Sequence, residues 1–138
     1  VIDVQAQTLL QDIFRRESRS FLSYVAEANP WTTSREEKTW ADLQQLIAAE
    51  REAVASLGRF LVRMGIPLPF LPAYPAHFAT SNFLALDFLL PRLIEYERQA
   101  LAELERDRAA LKDPAAQAEV EKLLVLKRRH LSRLEELA

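Results

Sequence analysis

Between residues 66 and 80 the chain reads IPLPFLPAYPAHFAT, and this stretch limits the possible folds more than any other. Pro67, Pro69, Pro72 and Pro75 forbid an α-helix there and favour an extended, polyproline-like path. Ile66, Leu68, Phe70, Leu71, Tyr74 and Phe78 are nevertheless apolar, so the segment is expected to lie against the rest of the protein. Fifteen extended residues reach roughly 50 Å at about 3.3 Å each. A helix of about 30 residues spans roughly 45 Å. The stretch is thus long enough to carry the chain from one end of a helical pair back to the other.

Helical patterns lie on both sides of it. From about Asp3 to Ala28, the apolar residues Leu10, Ile13, Phe14, Phe21, Tyr24 and Ala28 recur at helical spacing, and Asn29-Pro30 ends the run. Ser34 and Glu37 have capping-box spacing and open a second helix that runs to about Met64, with Gly65 placed for the left-handed C-terminal turn. Its inner row is Trp40, Leu43, Ile47, Glu50, Val54, Leu57, Leu61 and Met64. A third helix is expected from Ser81 or Asn82 to about Lys112, bent at Pro91, with Leu86, Leu90, Leu93, Glu97, Leu101, Leu104 and Leu111 inward. Asp113-Pro114 starts a fourth, which runs to about Leu137 with Val120, Leu123, Leu124, Leu131 and Leu134 on its inner side.

Short, long and short connections predict an all-α, antiparallel four-helix bundle with one crossover between helices 2 and 3, formed by residues 1–138 as a single domain. Only two glycines occur, against a turn-rich β protein. The absence of cysteine excludes disulfides, thiolate catalysis and Cys-ligated metal. A net charge of -2 with interspersed signs offers no basic stripe for nucleic acid. No apolar run reaches membrane-spanning length, and a cytoplasmic location is expected.

Glu17, Glu50 and Glu97 interrupt apolar rows on three helices, and His130 lies on the fourth. In the segments RRESRSFLSY, SYVAEANPWT and LALDFLLPRLIEYERQALAELE, the chain resembles the ferritin-like superfamily, notably rubrerythrins and small uncharacterised bacterial members. The resemblance implies a metal centre for iron or manganese, with Glu17, Glu50, Glu97 and His130 at ligand positions. Two positions depart from the family pattern. Ala53 stands where a histidine is expected, and Lys127 where a glutamate is expected. An ammonium has no lone pair to donate, but it replaces a metal's charge.

Two functions follow as expectations. One is a degenerate, non-catalytic interaction or scaffold protein that binds no metal, with its glutamates neutralised by Lys127 and by His130 or Arg51. The other is a metal-binding oxidoreductase or iron-handling protein. A homodimer is expected from the resemblance and from flanking leucines such as Leu9, Leu22, Leu126 and Leu137. A pocket between the Pro91-containing helix and the crossover is a further possibility, though no convergent polar group names its ligand. His77 and the serines at 18, 20 and 23 form no catalytic motif. Trp31, Trp40, Phe60, Phe70, Tyr74 and Phe78 are read as packing residues.

Overall fold

The computed structural model describes residues 2–138 and is all-helical, with no strand among those residues. Five α-helices pack together: α1 (Val4–Ser18), α2 (Phe21–Val25), α3 (Glu37–Arg63), α4 (Leu86–Ala110) and α5 (Pro114–Leu137). Short 3-10 turns at Ser34–Glu36 and Ala76–Ser81 precede α3 and α4.

Most of the expected punctuation is present. Asp3 and Asp113 accept the Ala6 and Ala116 N–H groups and cap α1 and α5. Gly65 adopts a φ of 71° after α3. The capping box lies one residue earlier than its spacing suggested, on Thr33 and Glu36. α4 starts at Leu86, later than expected, because after the 3-10 turn Asn82 is extended and Phe83 takes a positive φ of 60°. Pro91 sits within α4 without ending it.

The first helix is two helices. After Ser18 the backbone leaves the helical region, and Ser20 takes an extended conformation with φ -68° and ψ 157°. Its hydroxyl then caps α2 by accepting the Ser23 N–H. Serine is prone to such local bonds, which compete with the helical ladder.

Two apolar clusters define the interior. One joins Leu10 and Ile13 of α1 to Leu57 and Leu61 of α3, Leu104 of α4, and Val120 and Leu124 of α5. The other joins Phe21 and Leu22 of α2 to Leu43 and Ile47 of α3, Leu86 and Leu93 of α4, and Leu134 of α5. α1–α2, α3, α4 and α5 each visit both clusters: α1–α2 and α5 run from the first to the second, and α3 and α4 both run from the second to the first. The proline-rich connection makes the same journey, from Ile66 in the first cluster to Phe78 in the second. Along the way it receives side-chain bonds from Gln11 to the Pro67 carbonyl and from Arg19 to the Pro72 carbonyl. Phe70, by contrast, faces solvent.

The leucines expected to cover a second face are largely used inside the chain. Leu22 is buried, and Leu9 and Leu137 pack against the two clusters. The large apolar side chains left exposed include Trp31, Phe83 and Phe88. The segments carrying them meet at one end, where Trp31 pairs with Ala85 in an isolated bridge.

Candidate functional site

Glu17, Glu50, Glu97 and Lys127 occupy corresponding levels of α1, α3, α4 and α5, between the two apolar clusters. Their inward positions follow from helical phase. Glu50 continues the row Leu43–Ile47–Val54, and Lys127 continues Val120–Leu123–Leu134. All four side chains are buried, and Lys127 has no accessible surface.

Lys127 Nζ lies 2.6 Å from Glu17 Oε1, 2.7 Å from Glu50 Oε1 and 3.3 Å from Glu97 Oε1. An ammonium has three donors, and three carboxyl groups surround this one. The bonds to Glu50 and Glu97 are directed hydrogen bonds, whereas the Glu17 contact is an ion contact off the hydrogen-bond direction. His130 lies 2.6 Å from Glu50 Oε2 through Nδ1. Arg16 approaches the other oxygen of Glu17 at 3.8 Å and is itself bonded to Asp107 at 2.6 Å.

The electrostatics differ from one carboxyl to the next. Burial disfavours the charge of Glu50, but Lys127 and the His130 hydrogen bond outweigh it and hold this group at about 2. Glu50 is therefore an acceptor, and the hydrogen in its bond to His130 sits on Nδ1. Burial dominates at Glu97 and, with the neighbouring Glu50 charge, pushes it up to about 8 despite Lys127. Burial likewise raises Glu17, against the pull of Lys127 and Arg16. Burial alone would lower Lys127, but its three glutamates drive it well above the usual lysine value. The result is a buried ammonium facing an ionised Glu50, with Glu97 kept as the acid at neutral pH.

All four residues singled out as metal ligands thus come together, the three glutamates around a lysine nitrogen and His130 on the far oxygen of Glu50. Among the described residues, no group of three His, Asp or Glu side chains is arranged to hold a metal ion. Ala53, one helical turn after Glu50, offers no donor atom, and Lys127 offers a cation instead of one. As it stands, the donor set does not fit a pair of metal ions.

Arg51 does not reach the carboxylates. It donates through Nε to Ser23 Oγ at 3.0 Å and through a terminal nitrogen to the Ser23 carbonyl at 2.8 Å. Ser23 Oγ is also 3.0 Å from the Tyr74 hydroxyl, and the Arg19 guanidinium lies 5.0 Å from the Tyr74 ring centroid. Residue spacing gave no sign of this second polar group, since its members come from three separate segments, around residues 19–23, 51 and 74. His77 is exposed beside Phe78 and Tyr96.

The fold and site define an all-helical protein with a buried lysine–carboxylate centre. No protein-family model, curated protein or solved structure matches the chain.

Proposed function

We propose that the chain is a ferritin-like four-helix bundle in which the Lys127 ammonium takes the place of metal, and that it acts as a non-catalytic interaction or scaffold protein. α1 and α2 count in this reading as one interrupted helix. The observation that carries it is the placement of Lys127 Nζ within 3.3 Å of glutamates from three other helices. A metal ion bound by those oxygens would have to displace an ammonium already compensating them. Homodimerisation belongs to the same proposal and draws on the exposed Trp31, Phe83 and Phe88.

Elemental analysis tests the reading, on protein purified without a metal-affinity tag, before and after anaerobic incubation with ferrous iron. Folded protein without bound metal is the expected result. About two metal ions per chain would overturn it. Sedimentation velocity tests the dimer separately.

The alternative is an iron- or manganese-binding ferritin-like oxidoreductase or iron-handling protein, favoured by the convergence of Glu17, Glu50, Glu97 and His130 from different helices. It requires the Lys127 side chain to vacate their midst. The double change Ala53→His with Lys127→Glu restores the two missing donors. Tight metal binding by that variant, and not by the parent chain, is expected if lysine is the feature that displaced the metal.

A further inference from the structure

A cleft of about 420 Å³ lies between α1–α2, α3 and the proline-rich connection. Its size falls in the lower part of the range for small-molecule sites. Two guanidinium groups line it, those of Arg19 and Arg51. They are linked through the bonded pair Ser23–Tyr74, which holds Arg51 on one side and lies under Arg19 on the other.

Both arginines lack an acidic partner. The chain forms many ion pairs, yet among the described residues no carboxylate lies within 4.0 Å of Arg19 or Arg51. Their protein partners are neutral: the Ser18 and Pro72 carbonyls for Arg19, and Ser23 for Arg51. Each guanidinium has five N–H donors and keeps some of them free. Glu17 and Glu50 also line the cleft, but Lys127 and His130 already engage them. Glu27, exposed at the lining, is the one acid there outside that cluster. The opposite character comes from Phe14, Ile47 and Val54, which give the cleft an apolar wall.

We propose that this cleft binds a small organic acid, its carboxylate held by Arg19 and Arg51 and its hydrocarbon body against Phe14, Ile47 and Val54. The planar fork of arginine matches a carboxylate through paired hydrogen bonds. The apolar wall selects a monocarboxylate with a hydrocarbon chain over a fully hydrated anion such as inorganic phosphate. The cleft shares Glu17 and Glu50 with the centre around Lys127 and relies on their engagement there; metal analysis tests that centre, whereas the Arg51→Gln comparison tests the cleft alone.

Octanoate is a suitable probe, compared with octan-1-ol, octylamine and inorganic phosphate by calorimetric titration and thermal shift at low ionic strength. Octanoate is expected to bind and raise Tm, with the other three binding more weakly. Arg51→Gln is expected to weaken octanoate about tenfold or more, leaving octan-1-ol unchanged, and Arg51→Lys to recover part of the loss. Arg19→Gln supplies the same comparison if Arg51→Gln does not fold. Absence of octanoate binding, equal binding of octanoate and octan-1-ol, or full affinity in the folded glutamine variant would each overturn the proposal.

Discussion

Lys127 Nζ and Glu50 Oε1 are 2.7 Å apart inside the protein, although 77 residues separate them in the chain. Both side chains are nearly or wholly inaccessible, so the pair has exchanged water for one another and for Glu17 and Glu97. Such a pair adds little net stability compared with a well-packed apolar replacement of both partners, yet losing one partner is costly.

Lys127→Met keeps much of the side-chain volume and removes the charge. Three buried carboxyls would then have no ammonium, and the expected loss is about 3–5 kcal/mol of unfolding free energy at pH 7. Adding Glu50→Gln should recover part of that loss, because Glu50 carries the charge that most needs compensation. Urea denaturation of the single and double variants decides the point. Equal stability of Lys127→Met and the parent chain would mean that the cluster is not electrostatically coupled to folding.

The pH dependence follows from opposite shifts in the same cluster. Glu50 is held at about 2 against an ordinary 4.5, so its contribution is present above 4.5 and is lost as pH falls through about 2. Glu97 is raised from 4.5 to about 8, so the native state retains a proton that the unfolded chain releases, and stability declines as pH rises between those values. Glu17 shifts in the same direction as Glu97. Lys127 is raised, so its contribution is complete below 10.5 and is lost only as pH climbs beyond that. Unfolding free energy should therefore be greater at pH 5 than at pH 8. Glu97→Gln, which mimics the protonated acid, should make the decline shallower. A parent chain that gains stability from pH 5 to pH 8 would contradict this assignment of the proton.

Gly58 marks a close approach of α3 to α1. A Cβ there would come within 2.8 Å of a Phe14 ring carbon. Alanine normally gains up to about 1 kcal/mol over glycine inside a helix. Overpacking typically costs about 1–3 kcal/mol, so Gly58→Ala should be destabilising on balance, by about 1 kcal/mol. Combining it with Phe14→Leu should reverse the sign of the alanine effect. A thermal-melt series over the four combinations measures that coupling, and additive effects would show that the ring moves aside freely.

The proline-rich connection, the Asp113-Pro114 start and Gly65 were legible in the sequence because each rests on local backbone chemistry. So were the inward glutamates, since a polar residue in an apolar helical row is visible from spacing alone. The break at Arg19–Ser20 was hidden because Phe21 and Tyr24 continue the apolar pattern across it, and only the Ser20 cap reveals the new helix. Lys127 could be seen to stand in a ligand's place. Its contact with three carboxylates depended on how α5 sits against the other helices. The Arg51–Ser23–Tyr74 group was illegible for a similar reason: its bonds cross 28 and 51 residues of chain. The expected use of Arg51 as a counter-ion failed because Ser23 offers it both a hydroxyl and a carbonyl.

The position of Lys127 on the last helix has a consequence for the order in which the protein can be completed on the ribosome. Glu17, Glu50 and Glu97 emerge first, and the ammonium follows Glu97 by 30 residues. At about 5–20 residues per second that interval is roughly 1.5–6 s. During it, the earlier helices cannot close over their acids in ionised form without burying uncompensated charge. Tight closure thus waits for α5, which brings both the counter-charge and its own leucines, and a chain truncated before α5 is left with an acidic seam open to water.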